Sequence, residues 1–177
     1  MAGLPYPFIV LAAIGLILSL IVHLSALVGI DLGLGQAVWA LHIGVFVVWL
    51  PTVSLVTIKT TGDFRRLDFW KAALRGCPDW MRKMTYGFFG YAVVNFIIFI
   101  FLTVNHPGSH SNEAAPVTLR GFSGHWMAFY SIALAALYSS TRIKETDTER
   151  RCLNDHLMAP LAKFCEECGA PVSLQMK

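Results

Sequence analysis

Three of the four cysteines and one of the six histidines of this chain fall within residues 152–168, in the run RCLNDHLMAPLAKFCEECGAPV. The order is Cys152, three residues, His156, eight residues, Cys165, two residues, Cys168, then Gly169. Thiolate sulfur and imidazole nitrogen are the donors that zinc selects, four at a time in a tetrahedron. A Cys-x-x-Cys pair followed by glycine lets one tight turn aim two thiolates at one ion while backbone amides point at the sulfurs.

The segment resembles the zinc-ribbon family over about 20 residues, roughly 150–172: KFCEECGAP is similar to its second knuckle and CLNDH to a Cys-x-x-x-His first knuckle. One departure is Asp155, where that family commonly places glycine. The resemblance implies that Cys152, His156, Cys165 and Cys168 are zinc ligands. Four protein ligands leave no open position for water or substrate, so the implied zinc is structural and not catalytic. A stretch this short has little apolar core, and metal binding would supply its folding energy.

A second set of residues could do chemistry inside apolar surroundings. His23, His42 and His125 each lie within a long hydrophobic run, a few residues from the end that faces away from the cysteines. At about 1.5 Å per helical residue they share one layer, roughly 5–10 Å inside the membrane boundary. Ionisable residues at such depth are functional candidates. Two imidazoles on facing helices can ligate both faces of a b-type haem, and three could hold copper or zinc. The plan resembles that of small bacterial membrane cytochromes b, which commonly carry a second histidine pair; this chain has none, so at most one haem fits. The alternative is that each imidazole is a neutral, satisfied packing residue, as His23 would be if it donated to Ser19 one turn away.

These residues need a scaffold, and composition says which. Of 177 residues 55% are hydrophobic and 14% charged, whereas a soluble domain carries charge on roughly a quarter of its positions. Four runs are long enough to span a bilayer core, which takes about 20 apolar residues: 8–30, 37–58, 84–104 and 122–140. The first has no preceding Lys or Arg and no cleavage site, and is read as a retained helix. In it Ala12, Gly15, Ser19, His23 and Ala26 form one small or polar stripe, the kind that packs on other helices. Asn95, in the third run, needs an interior partner.

Thirteen of the 14 Lys and Arg fall either between the second and third runs or after the fourth, with Arg120 alone on the other side. The positive-inside rule then puts both termini in the cytoplasm of a multi-pass inner-membrane protein. The basic residues sit where anionic headgroups want them, so no nucleic-acid partner is implied. All four thiols fall on this reducing side, where a cluster is more often metal-binding than disulfide-bonded. Between the second and third runs, LDFWKAALRGCPDWMRKM alternates apolar and basic residues at helical spacing, and an interfacial helix over about 65–80 is expected.

The expected fold is all-α: an antiparallel four-transmembrane-helix bundle over 1–143 and a zinc-ribbon-like cytoplasmic tail over 150–177. The runs contain no Asp or Glu, which removes a Ser-His-carboxylate triad and argues against proton-coupled transport. The function expected is that of a non-catalytic accessory or assembly subunit. It would meet lipid, other membrane subunits or further copies of itself, and a cytoplasmic protein through the tail. A single-haem or metal-binding electron carrier using His23, His42 and His125 is the alternative, and an oligomeric transporter a third.

Overall fold

A computed structural model describes residues 5–59, 70, 73–105, 116–142, 150–154, 156–158, 164–165 and 167–170. Helix α1 (Pro5–Leu27) is followed by a 3-10 turn (Gly35–Trp39) that leads directly into α2 (Ala40–Lys59). Helices α3 (Asp79–Asn105) and α4 (Pro116–Arg142) follow. The tail contributes a two-residue antiparallel hairpin, β1 (Arg150–Arg151) with β2 (Leu157–Met158), paired Arg150 to Met158 and Arg151 to Leu157.

Three of these elements are long and apolar enough to cross a membrane: α1, the stretch from Gly35 through α2, and α3. Their large side chains point outward. Ile17, Leu50, Ile97 and Phe101 are all more than half exposed, and only 11% of the most apolar stretch of α3 is buried.

Helix α4 fits the expectation of a fourth long helix but not of a fourth equally apolar one. At 27 residues it is as long as α3, yet it is not apolar enough to join the other three as a candidate span. The reason is its place in the bundle. It packs against α1, α2 and α3, and its buried positions are largely small or polar: Ser123, Gly124, Ala128, Ser131, Ala135 and Ser139 among them. A helix enclosed by other helices gains from close backbone approach rather than from bulk.

Tyr130 shows how close that approach is. Its hydroxyl donates to the Leu41 carbonyl at 2.8 Å, and a Cβ on Gly15 of α1 or on Gly44 of α2 would land on its ring or its hydroxyl respectively. The core of this half is completed by Ala12, Val22, Val45, Val48, Trp126 and Leu137.

The expected stripe on α1 is buried as a set: Ala12, Gly15, Ser19, His23 and Ala26. Of the interfacial helix expected over 65–80, residues 65–69, 71 and 72 lie outside the described residues. Its described end does not lie free on a surface: Ala73, Leu74 and Cys77 are buried against Val56, Ala135 and Ala136. There the Gly76 amide donates to Ser139 Oγ at 2.8 Å, and a Cβ on Gly76 would meet the Ser139 carbonyl.

Candidate metal centre

The tail brings its two half-sites together by backbone geometry. In the first, the short β1–β2 hairpin closes with the Cys152 amide donating to the His156 carbonyl at 3.0 Å, which sets the two side chains across one turn. In the second, the Gly169 amide donates to the Cys165 carbonyl at 2.8 Å and the Cys165 amide to the Ala170 carbonyl at 2.8 Å. That turn needs a left-handed residue at its end, and Gly169 supplies it with φ +68°, a conformation glycine adopts without the steric penalty of a side chain.

The result is a four-donor cluster. Ligand atoms of Cys152, His156, Cys165 and Cys168 all lie within 4.8 Å of one another and could hold a metal ion. Cys152 Sγ is 3.6 Å from Cys168 Sγ, and Cys165 Sγ is 3.7 Å from His156 Nδ1. A disulfide would bring two sulfurs to about 2.05 Å, and all four cysteines are free. Zinc bonds of about 2.3 Å to sulfur and about 2.0–2.1 Å to nitrogen give tetrahedral edges of about 3.8 Å for S···S and about 3.6 Å for S···N. These two separations are close to those edges and all four donors lie within 4.8 Å of one another, so the donor set is consistent with zinc.

Electrostatics favours thiolate at one corner. The Ala170 backbone amide aimed at its sulfur, then the His156 imidazole, lower the Cys168 thiol from the usual range to about 6. Cys165 goes the other way. The Cys168 amide favours its thiolate, but desolvation and hydrogen bonds shared with the other two thiols keep its proton on and raise it.

Glu167, which the sequence reading did not single out, lies with Oε2 3.6 Å from His156 Nε2. Ligating histidines commonly turn their second nitrogen towards a carboxylate, which fixes the tautomer and ring orientation. This leaves Nδ1 facing the cluster. The signal was a carboxylate inside the Cys-x-x-Cys turn, but sequence alone does not say that it reaches across to the other half-site.

The histidines of the bundle are not gathered in this way. Among the described residues the tail quartet is the one group of three or more His, Cys, Asp or Glu placed to share an ion. His23 is buried and both its nitrogens are engaged, Nδ1 with Ser123 Oγ at 2.8 Å and Nε2 with Tyr91 Oη at 2.5 Å. Ser123 Oγ in turn donates to the Arg120 carbonyl at 3.3 Å, so it accepts from His23 Nδ1–H, and Tyr91 donates to Nε2. The partner is therefore across the helices and not Ser19, whose buried hydroxyl has no partner among the described residues. His42 Nδ1 accepts the indole N–H of Trp126 at 3.0 Å within a ring of Trp39, Phe46 and Phe122. His125 Nδ1 bonds the Gly121 carbonyl at 3.1 Å. Asn95 has the interior partner expected of it, donating to the Arg120 carbonyl at 2.8 Å.

Compared with known proteins, the chain matches no family model, no curated protein and no solved structure.

Proposed function

We propose that this chain is a non-catalytic, integral membrane accessory or assembly subunit of a larger membrane complex, with its tail as a zinc-ribbon-like docking element in the cytoplasm. One observation carries the reading: the ligand atoms of Cys152, His156, Cys165 and Cys168 converge to within 4.8 Å of one another. Four protein ligands fill zinc's coordination, so a bound zinc has no position for a substrate and acts by holding the tail folded.

In this reading the chain crosses the inner membrane four times, with α4 as the fourth span. A 27-residue helix is about 40 Å long, more than a hydrocarbon core requires. Its modest hydropathy suits a span that faces protein, since it is enclosed by α1, α2 and α3. The placing of 13 of the 14 Lys and Arg supports cytoplasmic termini. Lipid or neighbouring subunits cover the exposed Ile, Leu and Phe side chains of α1, α2 and α3.

The test combines metal content with assembly. Full-length protein purified in mild detergent should carry one zinc per chain by mass spectrometry, and Cys165→Ser with Cys168→Ser should carry none. On native gels of solubilised membranes the wild-type band should run well above the mass of one chain, and the double variant should fall towards it. A metal-free wild type, or a large band indifferent to the double substitution, sinks the proposal. Topology is checked separately: Ser111→Cys should react with a membrane-impermeant maleimide from outside intact cells.

A further inference from the structure

A groove of about 290 Å³ runs between α3 and α4, walled by Phe89, Phe96 and Phe129 and floored by Ala92 and Ala128. Among the described residues that line it, His125 is the only polar side chain. Its chemistry is set by its other bond. A backbone carbonyl can only accept, so the 3.1 Å contact with the Gly121 carbonyl requires the proton on Nδ1. In the neutral imidazole that leaves Nε2 as a bare lone pair. Phe96, meeting the imidazole edge to face with centroids 4.4 Å apart, holds the ring in place.

The wall residues Phe89 and Ile97 are 54% and 61% exposed, so the groove opens along the apolar flank of α3. A saturated acyl chain there would leave the Nε2 lone pair without a donor in hydrocarbon, which costs about 1–3 kcal/mol. A volume near 300 Å³ is the lower end of the range for small-molecule sites. It suits a single substituted ring rather than a large macrocycle, and phenylalanine faces and edges suit an aromatic one.

We propose that this groove binds the hydroxyl-bearing aromatic headgroup of a lipid-soluble molecule, an isoprenoid quinol in chemical class, with the hydroxyl donating to His125 Nε2 and the tail leaving along α3. The site is independent of the metal cluster and of any partner the tail engages. No electron or proton transfer is part of it; the site recognises a donor.

The test uses the full-length protein in nanodiscs of synthetic phosphatidylcholine, titrated calorimetrically under argon with a decyl-tailed benzoquinol, its dimethyl ether and the corresponding quinone. The quinol should bind saturably. The ether and the quinone, which lack the donor, should bind about tenfold more weakly, the worth of one hydrogen bond to a neutral acceptor. His125→Phe keeps the groove apolar and should erase the difference between quinol and ether. Equal binding of all three by the wild type overturns the proposal, as does discrimination that survives in His125→Phe. A readout that needs no variant is the His125 Nε2 signal in protein labelled with nitrogen-15 histidine: it should start as an unprotonated nitrogen and shift on adding quinol but not ether. A protonated Nε2 at the outset, or stoichiometric haem bound at His125 in the purified protein, also overturns it.

Discussion

Cys152 Sγ and Cys168 Sγ lie 3.6 Å apart although they are sixteen positions apart in the sequence. That distance is nearly twice a disulfide bond and close to the edge of a zinc tetrahedron. The two sulfurs are therefore held side by side without a disulfide, and an ion bound between them would relieve the crowding of thiolates. Replacing zinc with cobalt should give the intense near-ultraviolet charge-transfer bands of three thiolates and one imidazole. Cys152→Ser should weaken these bands by about a third, and a spectrum without thiolate bands would remove the cluster as a site.

Proton competition gives the pH dependence. A ligand thiol must lose its proton to bind metal. Cys168, lowered to about 6, is already a thiolate at neutral pH, while Cys165, raised, must release its proton on binding. The lowered group contributes its full affinity above about pH 6 and loses it as pH falls through that value. Zinc affinity, measured by competition with a chelator, should thus fall from pH 8 downwards and fall most steeply below pH 6; an affinity flat from pH 8 to 5 contradicts the assignment.

Thiol labelling should separate Cys77 from the tail. Burial pushes the Cys77 thiol up, and its sulfur donates to the Ala135 carbonyl at 3.0 Å. After a chelator strips the tail, a maleimide at pH 7 should modify Cys152, Cys165 and Cys168, with Cys168 fastest, and leave Cys77 intact in folded protein. Peptide mass spectrometry reads this directly. Fast labelling of Cys77 would mean that the segment 73–77 does not stay packed on α4.

Tyr130 yields a pair of substitutions with different remedies. A Cβ at Gly44 meets only the hydroxyl end of Tyr130, whereas a Cβ at Gly15 meets ring carbons. Gly15→Ala and Gly44→Ala should each cost about 1–3 kcal/mol through overpacking. Tyr130→Phe should recover part of the loss in Gly44→Ala, short by the worth of the bond to the Leu41 carbonyl, and none of the loss in Gly15→Ala. Thermal unfolding in detergent distinguishes the four proteins, and equal rescue of both would mean that the hydroxyl, not the ring, limits the space at Gly15 as well as at Gly44.

His23 ties α1 to α3 through Tyr91 and to α4 through Ser123. His23→Ala should destabilise the bundle by about 1–2 kcal/mol, the scale of interhelical hydrogen bonds in membranes with a buried hydroxyl left unpaired. Tyr91→Phe should cost less than His23→Ala. A His23→Ala protein as stable as wild type would show that the three-helix network holds nothing together.

The sequence by itself determined the helices and the ligand types. Apolar runs of about 20 residues leave the backbone no other way to satisfy its hydrogen bonds in lipid, so α1, α2 and α3 could be placed within a few residues. The small-residue stripe of α1 was legible because helical periodicity puts Ala12, Gly15, Ser19, His23 and Ala26 on one face. The Cys-x-x-Cys-Gly turn was legible because ligand spacing and the left-handed Gly169 are local. Only the tertiary structure decided which helix is central. Hydropathy ranks segments by affinity for lipid, and α4 packs against α1, α2 and α3, so its buried Ser, Ala and Gly positions weaken in it the signal that marks those three as candidate spans. It also decided the partners of the histidines. A helix of 23 residues can turn His23 inward by its pattern alone, but whether Ser19, Ser123 or Tyr91 completes its bonds depends on how three helices meet. The same holds for His125, whose Gly121 bond is local but whose bare nitrogen faces a groove that exists only once α3 and α4 are packed.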